Sequence, residues 1–169
     1  MDEGTAREPL TERFREAFRR YPTGVAVICA VGAQGPVGLT ASSVASVSRT
    51  PPALSFSLMG TPTARALLEA PNFVVHLLGA RHAGLARDFA RAGRPRFTPE
   101  QGWSTLPTGE PILPSALAAL RVRPLQRVAV GDATLVVASV MEVFHGPHDG
   151  RLIYHASRFV TSSLLPEGI

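Results

Sequence analysis

A closed antiparallel β-barrel with helices inserted between its hairpins is the fold this sequence predicts. Three observations predict it. Short apolar runs of strand length recur along the chain, the breaks between them carry Gly and Pro, and the helical stretches do not alternate one-for-one with strands. Regular alternation would indicate a doubly wound parallel sheet; its absence favours a mainly β barrel. The 169 residues suffice for one domain, 1–169, with residues 1–9 expected to be flexible.

Taken in order, Thr11 is a candidate N-cap for a helix whose apolar stripe is Leu10, Phe14 and Phe18. Pro22 and Gly24 end it. Val25 to Val31 is almost wholly apolar and rich in β-branched residues, as in a strand buried on both faces. Ala33-Gln34-Gly35 supplies a hairpin turn, and Pro36 to Val47 reads as one returning strand, stopped by Pro51-Pro52. Ala53 to Leu58 alternates Leu54, Phe56 and Leu58 with Ser55 and Ser57. Thr61 or Thr63 caps a short helix to Glu69. Asn72 to Leu78 is a buried strand and Ala83 to Ala92 an arginine-bearing helix. Pro95 to Pro114 is a long loop anchored by Phe97 and Trp103, and Ile112 to Leu120 allows a helical turn. Strands at Arg121–Val130 and Thr134–Phe144 follow; Gly146 to Gly150 turns the chain into a last strand, Leu152 to His155.

Composition narrows the function. No apolar run approaches the roughly 18 residues that cross a bilayer, and the acidic, polar start does not resemble a secretory signal, so a cytoplasmic protein without membrane association is expected. Cys29 is the only cysteine; it reads as a small buried hydrophobe and excludes an internal disulfide or a multi-cysteine zinc site. His145, His148 and Asp149 sit in a Gly/Pro turn and read as a solvated loop, so no metal is expected. Lysine is absent. Arg81, Arg87, Arg91, Arg94 and Arg96 stand against Asp88 alone, a local excess equal to the formal +4 of the whole chain. Such a patch suits phosphate oxygens or is a solvated helix face. Because exposed aromatics are not expected to interleave with it, it does not suggest nucleic acid. No Gly-x-Gly-x-x-Gly opens a helix, which argues against a Rossmann nicotinamide domain.

The most informative stretch is Gly38-Leu39-Thr40-Ala41-Ser42-Ser43-Val44-Ala45-Ser46-Val47-Ser48. Hydroxyls crowd onto a strand and its exit beside small Ala41 and Ala45. Small residues let a flat ligand approach the main chain, and hydroxyls and freed N–H groups can bond its polar edge or phosphate.

The ordered set of Pro22-Thr23-Gly24-Val25, this stretch, Pro51-Pro52, Pro71-Asn72-Phe73-Val74-Val75, Leu85-Ala86, Phe89-Ala90 and Arg96-Phe97 resembles the flavin reductase domain of two-component flavin monooxygenases. The likeness continues through Trp103, Gly109-Glu110-Pro111-Ile112-Leu113, Gly131-Asp132 and Leu152-Ile153-Tyr154, and spans Phe14 to Phe159. It implies an FMN-binding split barrel, a Greek-key antiparallel barrel that forms a homodimer with sites built from both subunits. It implies hydride transfer from NADH or NADPH to FMN or FAD, with reduced flavin passed to a partner monooxygenase. By the same resemblance, Thr40, Ala41, Ser42 and Ser43 line the flavin ring and ribityl chain, and Ser46, Val47 and Ser48 follow the ribityl–phosphate side. Phe89, Arg96 and Phe97 help hold the phosphate end. His155 and Phe159 lie near flavin and nicotinamide, with His155 in the catalytic role. Direct hydride transfer needs orientation rather than a covalent nucleophile or general acid.

The chain departs from the family pattern at three positions. Ala133 follows Gly131-Asp132 where relatives carry histidine, His76 replaces an asparagine, and Ser157 replaces a glycine. The first lies toward the nicotinamide side in the family. It keeps open a flavin-dependent enzyme of altered chemistry acting on an organic substrate, or a non-catalytic flavin- or haem-binding dimer. His76 reads as structural.

Overall fold

The computed structural model describes residues 9–162; all but Pro9 of the segment expected to be flexible lies outside the described residues. The helix α1 (Leu10–Arg19) comes first, followed by β1 (Thr23–Gly24), β2 (Ala26–Gly32), β3 (Gly35–Ala41), β4 (Ala45–Arg49) and β5 (Pro52–Met59). Then come α2 (Pro62–Glu69), β6 (Phe73–Leu77), α3 (Ala83–Ala90), β7 (Ser104–Thr105) and β8 (Pro111–Ile112). The long pair β9 (Ala118–Val130) and β10 (Ala133–His145) leads into β11 (Arg151–His155) and β12 (Arg158–Ser162).

Among the described residues the strands form a seven-stranded sheet in the order β3-β2-β6-β9-β10-β5-β4, a small sheet β1-β11-β12, and the pair β7-β8. Every pairing is antiparallel. The two outermost strands of the large sheet, β3 and β4, are consecutive in the chain. Residues 42–44 therefore carry the backbone from one edge to the other and close the sheet into the expected barrel.

Four local expectations are corrected. Pro9 rather than Thr11 occupies the N-cap of α1, with no side-chain cap; proline's fixed φ sets the helix entrance and leaves Thr11 in the first turn. Pro36 to Val47 is two strands, because one continuous strand cannot serve both edges of a closing barrel. Ile112 to Leu120 holds one turn, Ala116 N–H to Leu113 O, and no helix. The Leu117 N–H is captured by Leu77 O, which leads the chain into β9. Beyond His155 the chain makes one more strand, β12, in register with β11. The cap of α2 is Thr61, whose Oγ1 accepts the Ala64 N–H at 3.2 Å.

The core explains the apolar run that begins at Val25. Ala26, Ile28 and Ala30 face the barrel interior with Phe56, Phe73, Val122 and Val136, and α2 closes that interior with Ala64 and Leu67. Val27 and Cys29 face outward and are covered by Ala86 and Phe89 of α3, with Leu113 and Leu152. Both faces of β2 are thus dry, and each large aliphatic side chain buried there contributes about 1.5–3 kcal/mol. Burial also pushes the Cys29 thiol well above its ordinary range, which suits packing and not thiolate chemistry.

His76 on β6 is fully buried. Its Nδ1 lies 3.2 Å from Val27 O and its Nε2 accepts the Leu113 N–H at 3.1 Å, an arrangement that requires the neutral ring with its proton on Nδ1. Trp103 packs edge-on against it, with centroids 5.2 Å apart. His76 is a structural bridge between β2, β6 and the loop before β9, as expected.

Burial lowers the His76 pKa from 6.5 to about 4. A folded-state value below the unfolded one means its contribution is present above pH 6.5 and lost as pH falls through about 4. That contribution is about 3 kcal/mol. In urea titrations at pH 7 and pH 4, His76→Asn should lose less stability on acidification than the parent; equal losses would contradict this assignment. A second prediction concerns Gly38, where a Cβ would lie 2.9 Å from the Phe89 ring, 3.0 Å from Phe97 and 3.1 Å from Cys29 Sγ. Gly38→Ala should destabilise the fold by about 1–3 kcal/mol, seen as a lowered Tm.

Candidate functional site

The crossing from β3 to β4 presents three successive residues in three different ways. Ala41 points inward and packs in the barrel core. Ser42 points outward and is exposed. Ser43 turns back to β5: its Oγ accepts the Ser57 N–H at 3.0 Å and donates to Ser57 O at 3.2 Å. The β4–β5 ladder runs only from Arg49↔Pro52 to Ala45↔Ser55, so the Ser43 hydroxyl meets the next outward-facing backbone pair of β5. Thr40, on the outer face of β3, donates its hydroxyl to Ala86 O of α3 at 2.7 Å. These bonds fix the crossing against both the barrel and α3.

Two clefts meet at this crossing and share Ser42, Tyr154 and Ser157. The first, of about 660 Å³, runs along α3 and β12. It is lined by Thr40, by Arg87 of α3 and Arg91 just past its end, and by Arg158 and Phe159 of β12, with no carboxylate among the described residues. The second, of about 790 Å³, is lined by Ser43, Ala45, Ser57 and His155, with Phe14 and Phe18 of α1 along another wall. We refer to them as the arginine cleft and the serine cleft.

The turn between β11 and β12 forms part of both. His155 pairs with Arg158 across a two-residue loop in which Ala156 and Ser157 have φ of 48° and 61°. Positive φ at both central residues is the pattern of a type I′ turn, which favours Gly or Asn. Non-glycine residues held there cost about 1–2 kcal/mol each. The Ala156 N–H is anchored on Arg19 O at the end of α1, at 3.0 Å.

The other expected site residues are placed differently. Phe89 is buried and meets Phe97 and Trp103 at centroid distances of 5.1 and 5.5 Å. Arg96 lies over the Phe89 ring, 5.7 Å from its centroid, and donates to Gly38 O and Arg91 O, each at 3.0 Å. Arg96 and Phe97 line a separate groove beside Gly38 and Thr63, so they brace the site from behind. Ser46, Val47 and Ser48 lie on the edge strand β4, where Val47 sits in a bulge, and line neither cleft. Ala133 pairs with Met59 at the outer end of the β9–β10 hairpin and also lines neither. Against the opposing effect of burial, the Arg81 and Gly150 N–H groups and the Arg81 guanidinium hold the Asp149 carboxyl below its ordinary range.

Sequence reasoning did not assign Arg87, Arg91, Arg158, Tyr154 or Ser157 to the site. The first two lie in the arginine patch it singled out; Arg158 lies beyond the last strand it recognised.

The set of groups fits a phosphorylated flavin: an exposed hydroxyl beside small residues, aromatic side chains in both clefts, and cations in one of them. Comparison with known proteins points the same way. Residues 18–163 match the flavin reductase like domain. An NADH:FMN oxidoreductase from Rhodococcus qingshengii is 41% identical over 152 residues, covering 86% of this chain and 79% of that protein. The reductase component of an FADH2-dependent resorcinol hydroxylase from a Rhizobium species is 30% identical over 168 residues, covering 97% and 93% of the two chains. The crystal structure of a flavin reductase domain protein from an Arthrobacter species superposes with a TM-score of 0.84 at 30% identity, covering 95% of this chain and all of that one. With barrel, clefts and sequence in agreement, the chain belongs to the flavin reductase-like domain family.

Proposed function

We propose that this chain is an NADH-dependent flavin oxidoreductase that reduces FMN or FAD and supplies the reduced flavin to a separate flavin-dependent monooxygenase. The observation that carries the reading is the exposed Ser42 at the junction of two clefts, within a chain that matches the flavin reductase like domain over residues 18–163. Relatives named as NADH:FMN oxidoreductase and as the reductase component of a hydroxylase support both halves of it.

Bound flavin supplies the hydride acceptor. The chain supplies the setting. Ala41, by packing inward, leaves Ser42 as the side chain that meets a ligand at the crossing. Thr40 and Ser43 hold that crossing through Ala86 O and Ser57. Two clefts sharing one wall let two ligands meet, and orientation of this kind is the main catalytic requirement for direct hydride transfer. His155, exposed at the end of β11 in the serine cleft, is assigned to the nicotinamide side.

The working form is a homodimer in the cytoplasm. Support for the dimer comes from α1, which buries no residue in this chain and leaves Phe14 and Phe18 each 60% exposed beside the serine cleft. Val47 on β4 and Leu125, Val128 and Val130 on β9 are exposed as well. Apolar surface on this scale is normally covered by a partner. No helix among the described residues is long and apolar enough to cross a membrane.

Purified protein should oxidise NADH, followed at 340 nm, only when FMN or FAD is added; absence of turnover with both flavins would end this reading. Ser42→Trp places a bulky ring at the junction without entering the core. It should lower flavin affinity at least tenfold, measured by quenching of flavin fluorescence, with Tm unchanged. Parent-like affinity would move the site elsewhere.

A further inference from the structure

The two ends of the barrel are finished differently. At one end α2 fills the interior with Ala64 and Leu67. At the other, where β2 begins and β6 ends, a pocket of about 360 Å³ opens between the barrel and β11. Ala26, Val44 and Leu77 form its inner wall and pack with the barrel core, while Leu117, Leu152 and Ile153 close it from outside. The mouth of a β-barrel is a favoured place for a small ligand.

The walls are aliphatic, and their main chain is largely engaged. Val25 O accepts the Leu78 N–H at 3.0 Å, Leu77 O accepts the Leu117 N–H at 2.9 Å, and Gly24 pairs with Ile153 across β1 and β11. The one charged group of the lining is Arg151, two residues before Ile153 and so on the same face of β11. Arg151 makes no ion pair or side-chain hydrogen bond among the described residues. Asp149, the carboxylate nearest to it in sequence, is committed elsewhere: it pairs with Arg81 Nε at 3.2 Å and accepts the Arg81 and Gly150 N–H groups at 2.8 and 2.7 Å. An apolar pocket thus carries a single unmatched positive charge at its lip.

We propose that this pocket binds a small apolar monocarboxylate, with the apolar body in the barrel mouth and the carboxylate on Arg151. The guanidinium fork matches a carboxylate, and the aliphatic walls reward burial of the body. The same walls select against other ligands. A second charge, or the many polar groups of a nucleotide, would be buried there without partners. The pocket shares Gly24 and Val44 with the serine cleft and no residue with the arginine cleft, so a bound acid lies beside the crossing as a separate ligand.

The test is calorimetric titration of the full chain with cinnamate, without flavin or nicotinamide, and with cinnamyl alcohol as the neutral counterpart. Cinnamate should bind one equivalent per chain, at least tenfold more tightly than the alcohol. Arg151 is exposed, so Arg151→Gln should keep the parent Tm. It should weaken cinnamate binding about tenfold and leave the alcohol unaffected. Ile153→Trp, which fills the pocket, should abolish binding of both; if that variant does not fold, Arg151→Gln decides alone. No binding of cinnamate, or parent-like affinity in Arg151→Gln, would overturn the proposal. Displacement of cinnamate by FMN would assign the pocket to the flavin site, and binding that is lost as the chain dimerises would assign it to a second copy; either outcome overturns it. Because the titration contains no flavin, failure of the reductase reading and failure of this pocket are separately visible.

Discussion

One serine hydroxyl bridges the closure of the barrel. The edge strands of the seven-stranded sheet are joined by only residues 42–44, and the β4–β5 ladder stops at Ala45↔Ser55, short of the Ser57 N–H and C=O. The Ser43 Oγ serves both, as acceptor to one and donor to the other. Because the crossing is held in this way, its neighbours have little freedom. Ala41 faces the core and is buried there, and Ser42 faces out. Position and exposure of the site thus follow from how the barrel is completed.

The outer surface near the crossing is assembled in the same spirit. Thr40 ties β3 to α3 through Ala86 O, Arg96 ties the segment after α3 back to β3, and the Phe89–Phe97–Trp103 cluster fills the space over Gly38. Polar groups that look like ligand-binding candidates in sequence are here structural donors, each satisfying a specific backbone acceptor. What is left over among the described residues, the hydroxyl of Ser42 and the guanidiniums of Arg87, Arg91 and Arg158, faces the clefts. Unengaged polar groups in a concave site mark function better than polar groups in general.

The β11–β12 turn adds a second constraint. Ala156 and Ser157 hold a conformation that glycine adopts more readily, and the Ala156 N–H is fixed on Arg19 O. Local backbone strain borne beside two clefts is a common feature of ligand sites. It also links the end of α1 to the wall that both clefts share, so the apolar helix face and the site form one surface.

Periodicity and composition made most of the fold legible. The two-sided burial of β2, the alternation in β5 and the Thr61 cap of α2 are local properties, set by which residues repeat at a spacing of two and which can cap a helix. The ordered motifs brought the family into view, and the crowded hydroxyls located the site to within a few residues. Three-dimensional packing decided the rest. No local signal separates Ser42 from Ser43, because their difference lies in whether a backbone pair 14 residues ahead needs a partner. Nor could sequence show that Arg96 is engaged while Arg87 and Arg91 have no side-chain partner among the described residues, since that depends on which carbonyls and carboxylates β3 and α3 bring within reach. Residue types fix what each group can bond; only the closed barrel determines which of them already has.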